Sequence, residues 1–257
     1  MKKFMALAAM FAAVMMGMTA CGDPEKPKPG PGPDEPDGPE ALIKIDGDLS
    51  DWNALPAGSF TLCESYSATE TPMAGMKWVK AYADDVYLCL AFEWDPNIVV
   101  DVTSWLPVHV YVDTDNSAAT GGYHFKPNGS DIMLEGGIAS ESWISWDCSM
   151  CYWKGDVNYT EWDGWTGPDP TEANNWGIDV PAGGMSSGAY CQNNTYEIAI
   201  MREMLPAVSF ADTFGVAIDI QQEWSSVGEL PNAPATEANP TGLADAMIPV
   251  TIQWSEE

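Results

Sequence analysis

The chain is poor in positive charge. Ten Lys and Arg residues stand against 38 Asp and Glu among 257 residues, a formal charge of −28, and Arg202 is the only arginine. A nucleic-acid partner, or direct docking on an anionic membrane, requires a basic patch, so both are excluded as ways of binding. Histidine is also scarce: His109 alternates within a strand-like run and His124 sits in a glycine-rich loop. Neither makes an axial pair for haem. No nucleophile elbow, phosphate loop or zincin helix occurs, and no paired-carboxylate motif for glycoside hydrolysis singles itself out, so the chain does not read as an enzyme. Long amphipathic helices are nearly absent as well, which removes bundles and α/β folds. Five cysteines follow Cys21, an odd number that cannot pair completely within one chain. Cys148 and Cys151 have redox-like spacing but no second pair or His partner at zinc-site spacing, and Cys63 and Cys89 fall in apolar runs that read as core.

The first forty residues carry the address. Lys2 and Lys3 precede an uncharged apolar run over residues 4–18, and Met18-Thr19-Ala20-Cys21 closes it with small residues and a cysteine. The order is that of a secretory signal peptide, residues 1–20, too short to read as a membrane span. Its last four residues, 18–21, resemble a lipobox. The resemblance implies cleavage before Cys21, acylation of Cys21, and anchoring in a cell envelope, with the outer membrane and the cell surface as the expected location. Each buried methylene of the acyl chains adds about 0.8 kcal/mol to that anchor. Residues 21–40 then read as a disordered tether, because Pro24, Pro27, Pro29, Pro31, Pro33, Pro36 and Pro39 alternate with Gly, Asp, Glu and Lys. An extended proline-rich segment rises about 3.1 Å per residue, so this one reaches on the order of 50 Å.

Residues 41–257 read as one domain. Removing Lys2 and Lys3 with the leader leaves 8 basic against 38 acidic residues, a formal −30. That balance suits neutral ligands or bound calcium. Period-two alternation predicts strands over 59–66, 76–83, 86–94, 108–113, 131–137, 196–201, 214–222 and 248–254, with a hairpin turn at Ala83-Asp84-Asp85-Val86. A single helical turn is predicted over 202–205, and residues 168–190 read as one long loop. Strands at this spacing without intervening helices predict an all-β fold, an antiparallel β-sandwich or jelly roll.

Four ordered stretches then resemble one family. Residues 43–52, Ile-Lys-Ile-Asp-Gly-Asp-Leu-Ser-Asp-Trp, resemble the opening strand and turn of family 9 carbohydrate-binding modules and their DOMON-like relatives. Asp84 to Glu93 is similar to the acidic turn and following strand of those modules. Val110-Tyr111-Val112-Asp113-Thr114-Asp115-Asn116, with Gly121, Gly122 and Gly129-Ser130-Asp131 after it, resembles their acidic strand-end loop. Thr195-Tyr196-Glu197-Ile198-Ala199-Ile200 is similar to a later strand, with Met201 where proline is usual. In the first stretch Asp46-Gly47 makes a turn pair, and Trp52 has the size to close one end of the sandwich core. Asp113 and Asp115 stand two residues apart at a strand end. Together with Asp131 they offer the oxygen ligands a hard cation requires; the resemblance implies structural calcium on these three residues.

The ligand expectation rests on aromatics. Trp78, Trp94 and Trp254 read as core or edge packing, whereas Trp143, Trp146, Trp153, Trp162, Trp165 and Trp176 crowd into one region. Sugar rings stack their CH faces on aromatic rings while their hydroxyls bond to planar polar groups. Trp162, Asp163 and Trp165, with Asn175 and Trp176, supply that mixture. The resemblance implies a clamp of two tryptophans, two of Trp162, Trp165 and Trp176. The expected function is non-catalytic capture of polysaccharide or oligosaccharide by an envelope lipoprotein of a glycan-foraging cell. The alternative is an adhesin or scaffold domain that binds an envelope protein.

Overall fold

The computed structural model describes residues 42–100, 106–124, 126–138, 147–153, 165–166, 178–179, 189–192, 194–202, 210–223 and 225–255. They all belong to one compact unit, Glu40–Glu257. The regular secondary structure of the described residues is almost all strand. One short helix, α1 (Ser50–Ala54), precedes β1 (Phe60–Glu64), β2 (Met76–Asp84), β3 (Tyr87–Trp94) and β4 (Leu106–Asp113). A small excursion, β5 (Gly122–His124) and β6 (Lys126–Ser130), leads to β7 (Ile132–Ile138). Next come β8 (Asp147–Trp153), β9 (Trp165–Thr166), β10 (Ile178–Asp179), β11 (Ala189–Gln192) and β12 (Thr195–Met201). The chain ends with β13 (Thr213–Gln222), β14 (Ser225–Leu230) and β15 (Ile248–Gln253). Among the described residues no helix is long and apolar enough to cross a membrane.

All these strands but two join one large curled sheet, in the order β10-β8-β7-β4-β13-β15-β2-β3-β12-β11. β1 adds to β2, β14 to β13 and β9 to β8, while β5 and β6 pair with each other. β15 is the seam. It pairs antiparallel with β13 through Phe214↔Val250 and parallel with β2 through Ile252↔Ala83. The fold is therefore all-β, as the alternation predicts, but its sheet is mixed rather than purely antiparallel.

Alternation explains the core. In β3 the residues Leu88, Leu90, Phe92 and Trp94 join Ile198 and Ile200 of β12 in one apolar cluster. Val108, Val110 and Val112 of β4, and Val216, Ile218 and Ile220 of β13, enter the same cluster from the other half of the sheet. The curl thus brings one face of each half together. Burying each such side chain contributes roughly 2 kcal/mol, and a one-residue slip would turn all of them outward. The β2–β3 turn holds the register: Asp84 Oδ1 accepts from the amides of Val86 at 2.9 Å and Tyr87 at 2.8 Å.

Several expectations need correction. Residues 43–46 do not form a strand; Ile43 and Ile45 instead roof the opposite face of β2, β3 and β12 with Trp52. Trp52 is fully buried, yet it belongs to that outer cluster rather than closing the principal core. The core expectation does hold for Cys89, buried in that same cluster, and Cys63 packs half-buried against the principal core. Trp254 stands just beyond β15 and is 56% exposed, so it is neither strand nor core. The loop expected over 168–190 contains β10 and the start of β11. Of the helical turn expected over 202–205, only Arg202 lies within the described residues, in a single 3₁₀ position.

Candidate functional site

The acidic loop that follows β4 is built by local hydrogen bonds and two close backbone approaches. Asp113 ends β4; its Oδ1 accepts from the Ser117 amide at 3.0 Å, while Asn116 takes a positive φ of 55° to turn the chain. Thr120 Oγ1 donates to Asp115 Oδ2 at 2.8 Å. The β5–β6 excursion then returns the chain beside its start, where the Asp131 amide donates to the Val112 carbonyl at 2.8 Å. Asp131 Oδ2 accepts from the Thr114 amide at 2.9 Å and from Thr114 Oγ1 at 2.6 Å. Gly129, at φ 85°, makes the return possible. A β-carbon there would stand 2.7 Å from the Ser117 carbonyl oxygen and 2.8 Å from Asp113 Oδ2.

The outcome is a three-carboxylate cluster. Asp113, Asp115 and Asp131 each bring an oxygen within 4.8 Å of the others, with Asp113 buried, Asp131 half-buried and Asp115 exposed. Burial first, and then the neighbouring Asp115 and Asp131, push the Asp113 carboxyl up to about 6, against the pull of the Ser117 amide. Three acids so close resist sharing negative charge, and a cation placed among them relieves both the repulsion and the burial. The donors are hard oxygens, and the Ser117 carbonyl borders the same space over Gly129, so the set fits an oxygen-seeking ion. All three residues singled out from the sequence are thus brought together, and the cluster could hold a metal ion.

Of the expected sugar contacts, Trp165 opens β9, where it pairs in register with Trp153 of β8. Trp162, Asp163, Asn175 and Trp176 lie outside the described residues, as do Cys21 and the tether.

A second polar site was not expected. On the outer face of β4, His109 Nδ1 lies 2.8 Å from Asp219 Oδ1 of β13, and its Nε2 lies 2.8 Å from Glu135 Oε2 of β7. The three are direct cross-strand partners. Asp219 Oδ2 also accepts from Ser226 Oγ and from Gln221 Nε2, the latter at 3.1 Å. His109 is 1% exposed and Asp219 fully buried. Burial opposes charge on the ring, but Asp219 and then Glu135 outweigh it and raise the imidazole pKa to about 9. A carboxylate inside the apolar run of β13 was the signal available: an Asp in such a run needs a buried partner.

Glu197 of β12 does comparable work on the opposite half. Its Oε1 accepts from Trp52 Nε1 at 2.8 Å and its Oε2 from the Gly47 amide at 2.7 Å. One side chain therefore ties the segment before α1, and α1 itself, to β12. No protein-family model matches the chain, and no curated protein matches it in sequence.

Proposed function

We propose that this chain is a lipid-anchored protein of the cell envelope whose β domain binds carbohydrate without catalysis and carries structural calcium. The observation that carries the reading is the carboxylate cluster of Asp113, Asp115 and Asp131, which converges at the strand end where the resembling modules are expected to place a calcium site. Cys21 supplies the anchor, the proline-rich segment is the spacer, and Trp162, Trp165 and Trp176 with Asp163 and Asn175 are the proposed sugar contacts. The acidic charge suits this role, since it repels anionic surfaces and leaves neutral glycans unopposed.

Calcium is tested by thermal melting with the ion and with a chelator. Saturation at about 100 times Kd adds about 2.7 kcal/mol, which raises the midpoint of a domain this size by roughly 5 °C or more. Asp115→Asn should abolish the response, and an unchanged wild-type midpoint would remove the site. Carbohydrate binding is tested by retardation in native gels cast with neutral polysaccharides, comparing wild type with Trp162→Ala and Trp165→Ala. A folded chain that no glycan retards would overturn the reading and favour the scaffold alternative.

A further inference from the structure

Where the β2–β3 turn, the end of β12 and the end of β15 meet, a tryptophan is presented outward on a rigid mount. Trp254 is 56% exposed, yet its ring is held from several directions. The Arg202 guanidinium lies over it, 5.4 Å from the ring centroid, and also over the Phe210 ring at 5.2 Å. Arg202 is itself 8% exposed and donates through Nη2 to the Asp84 carbonyl. Phe210 in turn meets the core residue Phe214 edge-on, 4.9 Å between centroids. Trp254 Nε1 donates to Asp212 Oδ1 at 3.3 Å, and the next amide, Ser255, donates to Asp85 Oδ2 at 3.0 Å. The indole is therefore ordered before any ligand arrives, which lowers the entropic cost of binding.

The surroundings select the ligand. Arg202 lies over the ring, and more than half of the side chain still faces solvent. Asp212 accepts from the ring nitrogen, and Asp85 accepts from the backbone and side chain of the next residue, Ser255. An anion would meet these two acids and a chain of formal charge −28. A cation stacked on the ring would meet the Arg202 charge already held there. A purely apolar partner would desolvate the carboxylates without compensating them. A sugar ring meets all three conditions, with an apolar CH face for the indole and hydroxyl donors for the acids.

We propose that Trp254, with Arg202 as its positioning residue, is a stacking platform for one sugar ring of a neutral glycan, with Asp85 and Asp212 accepting from its hydroxyls. The platform rests on the carbohydrate-binding reading above but uses different residues. The test is native affinity electrophoresis of the full chain in α-glucan, β-glucan, xylan and mannan gels, beside Trp254→Ala and Trp254→Phe. Truncating an aromatic anchor weakens binding about tenfold or more, so Trp254→Ala should lose most retardation, and Trp254→Phe, which keeps a ring face, should lose less. Equal retardation of wild type and Trp254→Ala would overturn the platform and leave the carbohydrate reading standing. No retardation of wild type in any gel would overturn both. Hydroxyl-radical footprinting of the wild type is independent of any effect of substitution on folding. Bound glycan should protect Trp254 from oxidation, and a Trp254 oxidised equally with and without it would sink the proposal.

Discussion

The two outer faces of the curled sheet bury charge by different means. On β2, β3 and β12 the face is apolar, with Tyr82, Cys89, Ala91 and Ala199 roofed by Ile43, Ile45 and Trp52. One carboxylate, Glu197, is sealed beneath that roof, where burial raises its pKa and two N–H donors compensate it. On β4, β7 and β13 the corresponding positions hold His109 between Glu135 and Asp219. There two neutral donors, Ser226 and Gln221, serve one oxygen of Asp219, and an opposite charge serves the other. A carboxylate satisfied by neutral donors tolerates loss of one partner better than a carboxylate satisfied by a cation, because removing the cation leaves a buried charge unopposed.

The sharpest way to break the comparison is His109→Leu, which removes the counter-ion of the buried Asp219 and should cost about 4 kcal/mol in denaturant unfolding. The double variant His109→Leu/Asp219→Leu should recover most of that. A single-variant cost under about 1 kcal/mol would show that the ion pair is not what holds these strands.

A somewhat smaller effect is expected from pH. The folded imidazole titrates near 9 rather than 6.5, so between those values the folded state keeps a proton that the unfolded chain has released. Its contribution is complete below pH 6.5 and is lost as pH rises through about 9. It amounts to at most about 3 kcal/mol, because each pH unit separating the folded and unfolded titrations corresponds to about 1.4 kcal/mol. Urea unfolding at pH values spanning that window should show a steeper decline in wild type than in His109→Leu, which keeps only the loss near pH 9 from its buried thiols, Cys63 and Cys89.

The smallest loss should follow Glu197→Ala, about 2 kcal/mol, since two donors lose their acceptor while an unfavourably buried charge is also removed. Glu197→Gln should cost less still, because an amide oxygen can accept from one of them. If Glu197→Ala proves as costly as His109→Leu by denaturant midpoint, the distinction between the two faces collapses.

Legibility followed the range of the interaction. The β3 and β13 strands were readable because their period-two patterns lie within ten residues, and Asp113 with Asp115 because both sit on one turn. Asp131 was reachable because a short excursion separates it from β4. β14, Ser225 to Leu230, has no such pattern: it begins Ser-Ser and carries a glycine, so its strand character comes from pairing with β13 rather than from local preference. His109 and Asp219 are 110 residues apart and Trp52 and Glu197 145, and nothing local to any of them names its partner.

By itself, then, the amino-acid sequence determined the all-β character, the faces of its main strands and a convergent acidic loop, because alternation and turn chemistry act over a few residues. Only the tertiary structure decided that β15 joins the two halves of the sheet, that the segment before α1 serves as a roof instead of a strand, and which charges meet. Those outcomes depend on strand order and register, which bring together side chains whose separation along the chain carries no signal of their contact.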